Sequence, residues 1–113
     1  MARPISPNEL AATMQGPVAV QLIDVRRPEA FEASAKILSG AFWHDPADIE
    51  SWIKAIDASR PVVVYCVRGH QVGQDCATRL EQAGHSVTYL EGGIEQWVAE
   101  GHPTASKPSR HEV

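Results

Sequence analysis

Apolar residues along this chain fall into two patterns, nearly continuous blocks and stretches spaced by three and four. Val18 to Val25 reads Val-Ala-Val-Gln-Leu-Ile-Asp-Val, and Val62 to Tyr65 is apolar throughout. Blocks of that length predict strands covered on both faces, and Val87 to Leu90 predicts another. Ile49, Trp52, Ile53 and Ile56 repeat at i, i+3, i+4, i+7 and predict a helix with one buried face. Val72, Cys76, Leu80 and Ala83 predict a second helix, starting at about Val72 and ended by Gly84. At the amino end, Ser6-Pro7-Asn8-Glu9 carries a Ser cap, a first-turn Pro and a Glu three residues on, so a helix should begin there. Leu10 and Met14 would face inward and Gly16-Pro17 would end it.

Shorter signals fill the gaps. Arg27 to Ala35 predicts a short helix with Phe31 on its inner side, and Ile37 to Trp43 a turn at Ser39-Gly40 followed by a short strand. Asp45-Pro46 suits the cap and first turn of the Ile49 helix. Gly92-Gly93 turns the chain into a final helix, with Ile94, Trp97 and Val98 inward and Gly101 closing it. From Pro103 to Val113 almost nothing is available to bury. The expectation is one domain over residues 1–103 and a mobile tail over 104–113.

Strands alternating with helices imply an α/β fold: a parallel sheet with right-handed crossovers and helices on both faces. Ligands of such sheets bind beyond the carboxyl ends of the strands. Asp24-Val25-Arg26, Trp43-His44 and Cys66 onward should therefore converge on one edge.

Composition narrows the class. At 113 residues, 43% hydrophobic and 21% charged, the chain suits a single core. Ten Lys+Arg against fourteen Asp+Glu leave a net charge of −4, with the basic residues scattered. Neither a nucleic acid nor a membrane is expected as partner. The first residues lack the apolar stretch of a secretory signal, and two cysteines form no disulfide framework, so a reducing, cytoplasmic setting is expected.

The chemistry concentrates at Cys66, which ends the block Val62-Val63-Val64-Tyr65 and opens Val67-Arg68-Gly69-His70-Gln71. A cysteine between a buried strand and a helix is where an α/β protein places a nucleophile. Loop amides and the helix start favour thiolate there, the reactive form. The bland alternative is a small buried hydrophobe. Cys76 shares a face with Val72 and Leu80, and a core role is the preferred reading over a resolving thiol. Cys66, His70, Cys76 and His85 match no paired zinc-ligand spacing, so no metal is expected, and no cofactor. His85, His102 and His111 have no constellation around them and should be exposed.

Three stretches together resemble a known family. Asp24-Val25-Arg26-Arg27-Pro28-Glu29-Ala30-Phe31 with Ile37-Leu38-Ser39-Gly40-Ala41 resembles the amino-terminal signature of rhodanese domains. Leu90-Glu91-Gly92-Gly93-Ile94-Glu95-Gln96-Trp97, with Gly101 and Pro103, resembles their carboxyl-terminal signature. Between them, Val62 to Cys66 with Gly69 stands where the family carries its active-site loop. The likeness runs from about Ile5 to Pro103. It departs at Lys36, where family members commonly have His, and at Gln71-Val72, where many have Arg-Ser.

The resemblance implies a small three-layer rhodanese-like fold and a sulfurtransferase of the thiosulfate sulfurtransferase type, with partners that are small sulfur donors and thiol or cyanide acceptors. Cys66 would take sulfane sulfur from thiosulfate or a related donor as a persulfide and hand it on. Val67, Arg68, Gly69, His70 and Gln71 would bind the donor, with Val67, Gly69 and Gln71 acting mainly through backbone amides. Arg68 either holds the dianion or is a solvated charge, and His70 either donates to the donor or faces water. Asp24 and Arg26 read better as an ion-paired brace, with Glu29 a candidate partner, than as catalytic groups. Trp43 and His44 form a pocket wall or simply end a strand. A phosphatase of the Cys-x5-Arg kind is disfavoured because Val72 holds the arginine position. The remaining alternative is a non-catalytic or sulfur-carrier module acting through a protein partner.

Overall fold

A computed structural model describes residues 2–69 and 71–107. Its centre is a five-stranded, wholly parallel sheet in the order β1 (Arg3–Ile5), β6 (Val87–Leu90), β5 (Val62–Tyr65), β2 (Gln21–Asp24), β4 (Phe42–Trp43). Alternation along the central strands builds two cores. Ile23, Val62 and Val64 pack with Trp52, Ile53, Cys76, Ala77 and Leu80, from α3 (Ile49–Trp52), the turn after it and α4 (Gln71–Gln82). Leu22, Val63 and Tyr65 face the other way, onto Leu10 of α1 (Pro7–Met14), Phe31 of α2 (Pro28–Ala33), and Ile94 and Trp97 of α5 (Gly93–Ala99). Helices thus cover both faces, and buried strands need the continuous apolar runs seen in the sequence.

The helix at the amino end has the predicted capping box: Ser6 Oγ accepts from Glu9 N at 3.1 Å and Glu9 Oε1 accepts from Ser6 N at 2.9 Å. Elsewhere the structure revises the pattern. The block from Val18 is strand only over Gln21–Asp24, and Val18 is 52% exposed. Its partner strand starts at Val62, after a proline, and Gln21 Nε2 binds the loop carbonyls of Asp57 and Arg60, so no ladder exists upstream. The Ile49–Ile56 helix is only one α turn, α3, between 3-10 turns at Pro46–Asp48 and Ile53–Ala55. Its buried face is as predicted, but β-branched isoleucines are weak helix formers, and Trp52 Nε1 ties the segment back to Asp45 O at 2.8 Å. Ala83, past the end of α4, is exposed, and so is Val98, because α5 turns only Ile94 and Trp97 fully inward.

Two elements carry no apolar signal. The strand β1 pairs with β6 from Arg3↔Thr88 to Ile5↔Leu90. After Pro103 the chain does not leave the domain at once: Thr104–Ser106 forms β7, antiparallel to β3 (Lys36–Leu38). Trp97 Nε1 donates to Pro103 O at 2.8 Å, Lys107 N donates to Ala35 O at 3.0 Å, and the Lys107 ammonium donates to Phe31 O. The folded unit therefore extends past the expected boundary at 103. Residues 108–113, including His111, lie outside the described residues. His85 is also buried rather than exposed, and His102 stacks on Trp97 with centroids 4.5 Å apart.

Candidate active site

The parallel register brings the carboxyl ends of β2, β4 and β5 level, with Asp24 opposite both Trp43 and Tyr65. Cys66 follows at once, 6% exposed, and continues the inward alternation of Val62 and Val64 toward α4. An open cleft of about 440 Å³ lies over it, lined by Cys66, Val67, Arg68, Gln71, Val72 and the Arg26-Arg27 segment.

The loop after Cys66 is shaped by α5. Ile94 N and Glu95 N donate to Cys66 O and Val67 O, both at 3.0 Å. The described peptides are all trans, and a trans peptide sets N–H opposite C=O. The amides of Val67 and Arg68 therefore point away from α5, and with that of Gly69 they meet no protein acceptor among the described residues. Gly69, at φ 72°, and Gly93, at φ 61°, make this docking possible. A Cβ on Gly69 would come within 2.6 Å of Gly92 N, and one on Gly93 within 2.5 Å of Cys66 O. Gly69 itself is buried behind the loop, and His70 lies outside the described residues.

Beneath the loop sits a buried polar brace. Arg26, 2% exposed, grips Asp24, fully buried, through Nε at 3.0 Å to both carboxylate oxygens and Nη2 at 2.6 Å. Arg26 N adds a bond to Oδ1, and Tyr65 Oη donates to Oδ2 at 3.0 Å. Burial and the neighbouring Asp24 charge push the Tyr65 phenol well above its ordinary value, so it remains a donor. Arg26 Nη2 also holds Lys36 O at 2.9 Å. Asp24 and Arg26 thus pair with each other, and the candidate partner Glu29 makes no ion pair with Arg26 among the described residues. Trp43 stands away from the cleft: it stacks on Phe31 at 4.6 Å and donates from Nε1 to Arg26 O. His44 stacks on Trp52, and desolvation lowers its pKa.

Arg68 lines the cleft but already meets Glu95 at 3.3 Å, with both side chains mostly exposed. Gln71 opens α4 and donates to Asp75 at 2.7 Å. Burial first, then the charges of Asp75 and Cys66, pushes the Cys76 thiol up to about 12, as suits a core thiol.

Three contributors escaped the sequence reading. Arg27 faces the cleft from the start of α2. Gln74 Nε2 holds Gly69 O at 3.1 Å. Gly73 allows α4 to pass Cys66 closely, since a Cβ there would lie 3.2 Å from Cys66 Sγ. The last had a readable signal, a glycine inside a helix pattern, which costs about 1 kcal/mol against alanine and often marks close approach.

Comparison with known proteins bears on the family and the fold. A family profile described as a rhodanese-like domain matches residues 6–100. A thiosulfate sulfurtransferase GlpE of Stutzerimonas stutzeri (strain A1501) is 37% identical over 92 residues, 80% of this chain and 81% of its own length. The protein of the same name from Pseudomonas fluorescens is 32% identical over 105 residues, 86% of this chain and 93% of its own length. Among solved structures, a rhodanese-related protein from Thermoplasma volcanium superposes with a TM-score of 0.81 at 24% identity, covering 93% of this chain and 99% of that one. Among the described residues, no helix is long and apolar enough to cross a membrane.

Proposed function

The chain belongs to the rhodanese-like family of sulfurtransferases, and from that membership we propose that it moves sulfane sulfur from thiosulfate, or a related donor, through a persulfide on Cys66 to cyanide or a thiol. The Cys66 thiolate attacks the outer sulfur of thiosulfate. The donor's S–S bond breaks, sulfite leaves with the bonding pair, and a new S–S bond forms on Sγ. A second nucleophile then attacks that outer sulfur and Cys66 leaves as thiolate, which makes the cycle ping-pong.

The observation that carries this reading is the loop: its carbonyls are tied to α5, so its amides are left for an anion beside the only cysteine lining that cleft. Free amides favour the thiolate and meet the charge of a dianionic donor. Arg27 and Arg68 add positive charge at the cleft, whereas the charge of Arg26 is already met by Asp24. The brace of Asp24, Arg26 and Tyr65 acts at one remove, holding the strand end from which the loop springs. Val72, at the cleft rim, offers nothing to a phosphoryl group.

Intact-mass measurement after incubation with thiosulfate tests the proposal. The protein should gain one sulfur atom, lose it on adding cyanide, and gain none as Cys66→Ser. No adduct with thiosulfate or other sulfane-sulfur donors would rule out catalysis and leave the module as a binding or regulatory one.

A further inference from the structure

A second cleft, of about 460 Å³, adjoins the one over Cys66. The two share Arg27 and Val72, which mark the divide between them. Beyond that divide the walls carry Glu29, Asp45, Asp75 and Arg79, with Cys76 between them. Arg79 is committed to Glu50, at 2.6 and 2.8 Å. Asp45 accepts from Ala47 N, and Asp75 from the neutral Gln71 amide, so neither charge is cancelled. Arg27 pairs with no carboxylate among the described residues. The cleft therefore presents one available cation on the Cys66 side and three carboxylates beyond it.

That polarity suits a ligand with an anionic and a cationic end, and it opposes a dianion such as thiosulfate. We propose that this second cleft is the acceptor subsite, and that it takes a zwitterionic thiol whose carboxylate meets Arg27 and whose ammonium faces Glu29, Asp45 and Asp75, with its sulfur directed past Val72 to Cys66. The inference rests on the sulfurtransferase reading and names the acceptor for that site. In the transfer, the acceptor thiolate attacks the outer sulfur of the Cys66 persulfide. The Sγ–S bond breaks, its electron pair returns to Sγ, and the acceptor departs as its own persulfide with no net oxidation. Cys76, its thiol held protonated, does not intercept the sulfur. Cyanide needs no such subsite.

The test compares acceptors on thiosulfate-loaded protein: L-cysteine, cysteamine (no carboxylate), 3-mercaptopropionate (no ammonium) and cyanide, with the thiols at matched thiolate concentration. L-cysteine should exceed both one-ended thiols in kcat/KM by about fivefold, the scale of one partly exposed charge contact. The double variant Glu29→Gln, Asp45→Asn should bring L-cysteine down to the level of 3-mercaptopropionate and leave cyanide unchanged; asparagine still caps the turn at position 45. Equal values for the three thiols, or a parallel loss with cyanide, overturns the assignment. A separate arm needs no sulfur chemistry: L-serine, the thiol-free analogue, should shift the amide resonances of Glu29, Ala47 and Asp75 in the Cys66→Ser protein. No shift with L-serine sinks the subsite even where cyanide turnover proceeds. If Cys66 never loads, the sulfurtransferase reading fails, and the L-serine titration still decides whether the cleft binds a zwitterion.

Discussion

Replacing Arg26 with methionine should destabilise the domain far more than removal of a surface arginine. Methionine keeps much of the length of the side chain but removes every donor that Asp24 receives from the guanidinium. Asp24 is fully buried, and it would retain only the Arg26 amide and the Tyr65 hydroxyl. Lys36 O would lose its partner as well. Breaking one side of a buried ion pair typically costs about 3–5 kcal/mol. A domain of this size has about 5–15 kcal/mol in total and loses about 4–8 °C of Tm per kcal/mol, so a fall of more than about 12 °C is expected. Urea unfolding followed by fluorescence of the three tryptophans reads the change directly. The companion variant Asp24→Leu, Arg26→Met separates the pair from mere packing. With both charges gone, no uncompensated charge remains buried, and the double should be more stable than the Arg26→Met single, with a coupling energy above about 2 kcal/mol. A single-variant loss below about 1 kcal/mol, or losses that simply add in the double, would refute the brace.

Three further outcomes follow from the same geometry. In Cys66→Ser protein, Cys76 should resist iodoacetamide at pH 9: burial and the Asp75 charge still raise its thiol, so little thiolate is present there and the fraction grows only as pH rises further. Labelling as fast as in denatured protein would return Cys76 to the reactive class. Gly93→Ala should cost about 2 kcal/mol or more and lower sulfur loading together with Tm, because its positive φ is strained for alanine and the Cβ would press the Cys66 carbonyl at 2.5 Å. Unaltered loading would show that the α5 docking does not shape the loop. Arg68→Ala should raise the KM for thiosulfate about two- to fivefold with kcat unchanged, modest because the guanidinium is exposed and shared with Glu95. An unchanged KM would make Arg68 a solvated charge.

The strands β2, β5 and β6 and the buried helix faces are legible in the chain because burial on both sides of a sheet writes itself as nearly continuous apolar runs. Elements held by backbone pairing alone are not. The strand β7 contains Thr104, Ala105 and Ser106, and nothing in those side chains distinguishes them from a tail; only the ladder to Lys36–Leu38 does. The strand β1 is hidden in the same way behind Arg3 and Pro4. Length is equally obscure, since the apolar block at Val18 outruns the partner that could pair with it. Hydrophobicity reports what can be buried, while hydrogen bonding decides what is.

At the site the division is between shape and charge. Two of the three sequence stretches lie far apart, yet they meet in one joint: Gly93 passes against Cys66 and Val67, Gly69 against Gly92, and the amides of Ile94 and Glu95 hold the loop carbonyls. A Cβ at either glycine breaks that joint, so those residue types are dictated by contact and can be read as letters. Charge has no such signature. Arg26, Arg27 and Arg68 look alike in the sequence, but one is neutralised inside the protein, one is shared with Glu95, and one stands at the rim of two clefts. Which arginine faces an anion depends on where the acids fall in space, and Asp24, two residues away, takes Arg26 out of contention. The loop motif can therefore identify the nucleophile, whereas donor and acceptor preference must come from the arrangement of charges around it.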